Sequence, residues 1–282
     1  MGRWFTAWLA LVAGCSFDAS GGEGSRDGGS PPLIDASGDA RADEPDAGGP
    51  CTTGALDFSP DEWVSVSHPS LDLTNNFTVE AWVRPRTVNS EFDLVSRHDS
   101  GASEGYVLMI KDRVPEFRVY FADDSGPASH CDCHSSGADL TVDRWVHIAG
   151  SFSDGTSYLF EDGVLMEICN CQDTCTGTCE GDVASYAGSM AIGIEAGRLD
   201  RFAVDGLIDD VHVLGSATTS SFEPLAAAAC DTDTLLQFRF EPPVSQSLSS
   251  GCGAAATGRL GSESGADLND PDAVDTSCPP SR

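Results

Sequence analysis

The chain is poor in positive charge. Fifteen Lys and Arg stand against 45 Asp and Glu, a formal charge of −30. That scarcity excludes nucleic acid as a partner, because a phosphate backbone needs clustered cations. It excludes polybasic docking on anionic lipid for the same reason. Long apolar runs are also lacking. None reaches 18 residues after residue 15, so no later segment reads as a membrane-spanning helix. Helical periodicity is confined to residues 221–229, and no repeat of fixed period occurs. Neither G-x-S-x-G nor H-E-x-x-H is present, which removes two hydrolase signatures. Hydrophobics at 40% and aromatics at 8% suffice for a globular core.

Residues 1–15 read MGRWFTAWLALVAGC: one Arg, an apolar stretch, then small residues. That is the order of a short secretory signal. Leu11-Val12-Ala13-Gly14-Cys15 resembles a bacterial lipobox. The resemblance implies cleavage before Cys15, a thioether lipid on its sulfur and an acylated N-terminus. Several acyl chains, each adding about 0.8 kcal/mol per buried methylene, hold a chain at a membrane. Ser16 after the Cys implies, by analogy, sorting to the outer membrane, on its periplasmic or surface face. The competing reading is an ordinary signal peptide with a chance Cys.

Apart from Cys15, ten cysteines remain: Cys51, Cys131, Cys133, Cys169, Cys171, Cys175, Cys179, Cys230, Cys252 and Cys278. An even number in an exported chain reads as five disulfides. The C-x-C pairs Cys131/Cys133 and Cys169/Cys171 could face each other across neighbouring loops, and Cys175 could join Cys179. Four thiolates on one zinc ion is the alternative, although the spacing is not that of a zinc ribbon.

Residues 16–50 are mostly Gly, Ser, Asp, Ala and Pro. Such a segment buries too little apolar surface to offset its ordering entropy, and reads as a disordered acidic linker spanning about 30–35 Å. From Cys51 onward short alternating runs take over. Phe77, Val79, Ala81 and Val83 share one face, and Asp162-Gly163 between two such runs marks a hairpin. Many short strands with little helix predict an all-β, two-sheet antiparallel sandwich or a barrel.

Four stretches fix the resemblance: Trp63-Val64-Ser65-Val66, FTVEAWV from Phe77, WVHIAG from Trp145, and GLIDDVHV from Gly206. In this order they resemble the laminin-G-like jelly roll of the concanavalin A-like lectin and glucanase superfamily. The domain is placed at residues 51–230, with 231–282 as a final strand plus a disulfide-tied extension of the same sandwich. The resemblance implies calcium where chain ends meet, with Asp209 as ligand and Asp57 as the second. The bland alternative is that Asp209 accepts hydrogen bonds from a neighbouring loop. His130 and His134 flank the first C-x-C and could hold a metal, or be plain surface residues.

Some members of that superfamily are glycosidases with paired strand carboxylates about 5–5.5 Å apart. Glu91 and Asp93 are the nearest pair, placed in a loop and lacking a third acid; Glu161 has no partner at 163. No enzyme is expected. Trp63, Trp82 and Trp145 read as core, leaving Tyr106, Tyr120 and Tyr186 as candidates for stacking on sugar. The expected function is a lipid-anchored extracytoplasmic binding module taking glycan or protein through sandwich-edge loops. The alternatives are a structural or adhesive envelope lipoprotein with a protein partner and, remotely, a glycoside hydrolase. An aromatic shelf beside polar groups on one sheet points to the first, and a smooth acidic face to the second.

Overall fold

Period-two alternation gives each strand an apolar and a polar face. Two sheets can bury such faces against each other, and this chain does so. A computed structural model describes residues 54–121, 129–137, 139–170, 175–176, 181–224, 230–241, 243–253, 256–261 and 270–275. Among them the strands are β1 (Gly54–Phe58), β2 (Val64–Ser67), β3 (Phe77–Pro85), β4 (Glu91–Asp99), β5 (Glu104–Lys111) and β6 (Val114–Tyr120). Next come β7 (His130–His134), β8 (Val146–Ser153), β9 (Thr156–Glu161), β10 (Val164–Asn170), β11 (Cys175–Thr176) and β12 (Met190–Ile192). The chain continues through β13 (Gly206–Leu214), β14 (Thr234–Phe238), β15 (Ser247–Ser249), β16 (Thr257–Leu260) and β17 (Asp272–Asp275).

An eight-stranded sheet has the order β10-β9-β8-β3-β13-β1-β17, with β14 also on β13; a nine-stranded sheet has the order β11-β7-β6-β5-β4-β12-β2-β16-β15. Every pairing is antiparallel. The expected sandwich is therefore present. Phe77, Val79, Ala81 and Val83 all point into the core between the sheets. There the Phe77 ring meets Tyr106 at 4.7 Å and Phe152 at 6.0 Å. Gly150 on β8 lets the sheets approach, since a Cβ there would lie 2.3 Å from the Phe117 ring. Removing one such Phe costs about 3–5 kcal/mol.

Several expectations are corrected. Residues 91–93 lie in β4, not in a loop. Cys133 and Cys169 lie on strands β7 and β10 rather than in loops. Tyr106 is 1% exposed, with its hydroxyl donating to Leu71 O at 2.9 Å, so it cannot stack on a ligand. Residues 221–224 form no helix, and 225–229 lie outside the described residues. Trp82 and Trp145 are buried, but in a cluster with Ala55 and Leu207 separate from the main core. Alternation explains this, because Trp82 lies between core-facing Ala81 and Val83.

Candidate functional site

The chain itself covers part of the outer face of the eight-stranded sheet. Thr218 N–H donates to Thr78 Oγ1 at 3.0 Å and to Ser151 Oγ at 2.9 Å. Phe222 N–H reaches Gly163 O, and its ring lies 5.7 Å from His147 and 5.4 Å from Phe160. Beneath this segment Glu80 lies 3.0 Å from His212 Nδ1 and 3.7 Å from His147 Nε2. Burial raises the Glu80 pKa, but the two imidazoles outweigh it and hold the carboxyl below its ordinary range.

The outer face of the nine-stranded sheet is different. From β4 it presents Asp93, Ser96 and His98; from β6, Glu116, Arg118 and Tyr120; from β7, His130, Asp132 and His134. Register places Arg118 opposite Asp132 and Tyr120 opposite His130. Arg118 uses both sides of its guanidinium, with NH2 donating to Glu116 Oε1 at 2.7 Å and Nε donating to Asp132 Oδ1. Charge-assisted bonds of this kind are among the stronger ones. His98 stacks on Tyr120 with centroids 5.7 Å apart and planes 9° off parallel, and Tyr120 meets His130 at 5.7 Å. Gly105 on the intervening β5 lies opposite His98 at φ +86°. A Cβ there would lie 1.9 Å from Arg97 O, so only glycine fits against the β4 backbone at this point.

The residues 193–204 fold over the β4 side of this face. Ala196 N–H donates to Ser96 Oγ, and Gly197 N–H to His98 O, both at 2.9 Å. Asp93 N–H donates to Phe202 O at 2.8 Å. Glu195 is fully buried, with Oε1 3.8 Å from His98 Nε2 and 2.9 Å from the Ser100 N–H that donates to it. Burial and the Glu195 charge hold the Asp93 carboxyl well above its ordinary range. Burial and Arg118 push His98 down to about 3, so its imidazole is neutral. Asp93, Ser96 and His98 support the loop from beneath. Arg118, His130 and Asp132 reach solvent at 13%, 31% and 29% of their side-chain surface.

Glu91 pairs with Lys111 at 3.3 Å and Asp93 is 1% exposed. Glu116 and Asp132 on this face share one arginine, and Asp93 and Glu195 are sealed from solvent on either side of His98.

Asp57 and Asp209 are held by different groups. Asp57 is bound by Arg86 at 2.5 Å. Asp209 is 1% exposed and accepts the Asp210 N–H at 2.8 Å. A bulge between Asp209 and His212 puts both aspartates on the flank of β13 where β1 stops and β14 begins. Among the described residues, Asp209 Oδ2 and both Asp210 carboxylate oxygens are buried without a hydrogen-bond partner, and Arg239 Nε lies 3.9 Å from Asp210. Burial pushes both carboxyls up, Asp210 further by the Asp209 charge.

Two bridges are visible among the cysteines, Cys133–Cys169 and Cys230–Cys252. The first joins the two C-x-C pairs and takes two thiolates from any shared zinc. Cys131 is also disulfide-bonded, and Cys175 lies opposite it in the β7–β11 ladder. Cys15, Cys51, Cys171, Cys179, Cys278 and the Cys175 side chain lie outside the described residues. Among the described residues no cluster of three or more His, Cys, Asp or Glu side chains is arranged to hold a metal, His130 and His134 included. Tyr120 is 5% exposed and Tyr186 half-buried.

Solved structures share this architecture. A Bacteroides ovatus protein, provisionally named as carbohydrate binding, aligns over 81% of this chain at 14% identity with a TM-score of 0.56. The chain spans 61% of that protein's length. The heptameric SAP-like pentraxin of Limulus polyphemus aligns over 60% of this chain and 78% of its own at 13% identity, TM-score 0.44. The CBM40 of a Ruminococcus gnavus sialidase, solved with α2,3-sialyllactose, aligns over 60% of this chain and 95% of its own at 12% identity, TM-score 0.43. At such identities the likeness is one of fold. No curated protein matches the chain. The family model described as the concanavalin A-like lectin/glucanases superfamily, of laminin-G type, matches residues 58–221. The match covers more than half of the sequence and both sheets, and the chain belongs to that family.

Proposed function

We propose that the chain is a non-catalytic binding module that recognises glycan, held outside the cytosol by a lipid on Cys15. The observation that carries the glycan reading is the outer face of the nine-stranded sheet. It is neither smooth nor uniformly acidic. Arg118, Asp132 and His130 offer donors and acceptors fixed by strand register and by one another, beside the Tyr120 ring. Sugar hydroxyls are recognised by such pre-positioned polar groups, and rigid ones lose little entropy on binding. The B. ovatus neighbour's name supports the ligand class. Catalysis is disfavoured because Arg118 neutralises Glu116 and Asp132, while Asp93 and Glu195 are closed off from solvent.

A glycan array probed with the Cys15→Ser chain, with and without calcium, tests this. Binding that Arg118→Ala or His130→Ala weakens supports the reading. An array without signal under both conditions overturns it. The anchor is tested separately: Cys15→Ser should move the chain from membranes to the soluble periplasmic fraction, and a variant that stays on membranes refutes it.

Calcium belongs to the same proposal. A hard cation takes carboxylate oxygens, and the unpartnered oxygens of Asp209 and Asp210 are of that type. Asp57 fits less well, because Arg86 occupies its carboxylate.

A protein partner is the second reading, favoured by one observation. Edge strand β10 exposes Val164 at 49% and Ile168 at 50%, and apolar edge strands are places where another chain can add.

A further inference from the structure

Positive charge is scarce in this chain, and what there is has mostly been neutralised. Eight of the eleven described Lys and Arg side chains lie within 4 Å of a carboxylate. Arg201 is an exception. It is exposed and, among the described residues, makes no ion pair, not even with neighbouring Asp200. Its guanidinium lies 4.6 Å from the centroid of the Phe202 ring, a cation–π contact that orients the charge without cancelling it.

The backbone beneath this pair is unusual. Phe202 has φ +57°, a region that bulky residues avoid. The conformation is held from several sides. Phe202 O accepts the Asp93 N–H at 2.8 Å, Arg201 N–H donates to Arg198 O at 3.1 Å, and Glu195 N–H donates to Arg201 O at 3.3 Å. Val204 N–H closes the loop on Gly193 O at 2.8 Å. The buried Glu195, through Ser100 N–H, ties the loop to the end of β4. A strained and closed loop thus displays one unneutralised guanidinium at the Asp93 end of the proposed binding face.

We infer that the glycan carries an anionic group, a carboxylate or a sulfate, and that Arg201 is the residue that binds it. This rests on the glycan reading above and names the ligand class of the same site. A guanidinium matches both oxyanions with parallel N–H donors. In a chain of charge −30 long-range attraction cannot draw an anion, so recognition must come from a local contact. Screening over about 8 Å at physiological salt permits that.

The test is calorimetric titration of the Cys15→Ser chain with neutral cellohexaose and galactan oligosaccharide, oligogalacturonate for carboxylate, and a heparin-derived hexasaccharide for sulfate. At least one acidic sugar should bind more tightly than the neutral ones. Arg201→Ala should cut that affinity about ten- to hundredfold, the range of a hydrogen bond to a charged group, down to the neutral level. Arg201→Lys should retain part of it. Neutral-sugar binding and melting temperature should not change, because Arg201 is exposed. Neutral sugars bound as tightly as acidic ones, or acidic affinity indifferent to Arg201→Ala, overturns this inference and leaves the glycan reading standing. Failure of every sugar, in this set and on the array, overturns both.

Discussion

Cys133 of β7 and Cys169 of β10 lie 36 positions apart, and their bridge, with Cα atoms 5.4 Å apart, joins the nine-stranded sheet to the eight-stranded one. Both residues are buried in the main core. A covalent tie at this flank stops the sheets from parting there.

Loss of this bridge should therefore cost stability. A loop of this length corresponds to about 4 kcal/mol in the chain-entropy account. Cys133→Ser with Cys169→Ser should lower the denaturation midpoint accordingly, and reductant should do the same to the wild type. A midpoint unmoved by the double substitution would contradict the inter-sheet role.

Arg118 and His130 should separate binding from stability. Arg118→Ala leaves Glu116, 6% exposed, without its cation, a loss of about 1–3 kcal/mol. His130 is more exposed, so His130→Ala should weaken glycan binding and leave the melting temperature within about 1 °C. Thermal melts run beside array binding check this. A large loss of stability for His130→Ala would make that residue structural.

Asp93 sets a sign for pH. Its folded pKa is raised by burial and by Glu195. The native state then keeps a proton that the unfolded chain releases above about pH 4. The unfolded state binds fewer protons, so this contribution to stability declines as pH rises, until the folded pKa is passed. His98 and His147, both lowered, act in the opposite sense below about pH 6.5, where the unfolded chain takes up their protons. Above that pH their slope vanishes. Asp209 and Asp210 are raised in the same sense and add to this fall, so Asp93→Asn should reduce the downward slope of stability above about pH 4 without abolishing it. An unchanged slope in urea titrations over that range would show that Asp93 is ionised in the fold.

Calcium should raise the melting temperature if Asp209 and Asp210 hold it. Millimolar calcium should stabilise the chain by the logarithm of its saturation, and chelator should reverse the shift. Asp210→Asn should remove the response. A melting curve indifferent to calcium and to chelator leaves the two carboxyls as a buried, proton-sharing pair.

The strands that alternate cleanly were legible before any coordinates. Phe77, Val79, Ala81 and Val83 face the core, and Asp162-Gly163 turns between β9 and β10. The joining of Cys133 to Cys169 was one of many pairings that ten cysteines allow. The hairpin of β4 and β5 was not legible. A bulge between Asp93 and Val95 breaks the period of β4, and its outward side chains, Asp93, Ser96 and His98, are polar yet buried. The run Tyr106-Val107-Leu108-Met109-Ile110 is apolar on both faces, and periodicity cannot tell such a strand from a buried helical turn.

The binding face was illegible for a further reason. Ser96 and Ala196 meet across 100 positions, and Arg118 joins an acid on its own strand to one on the next. By itself the sequence determined the class of fold, the likeness to its family and the poverty of positive charge, because alternation, motif and composition are local properties. Only the tertiary structure decided which polar residues share a face and which basic side chains lie beside carboxylates. Strand order and register set those neighbours, and both are fixed by packing between segments far apart in the chain.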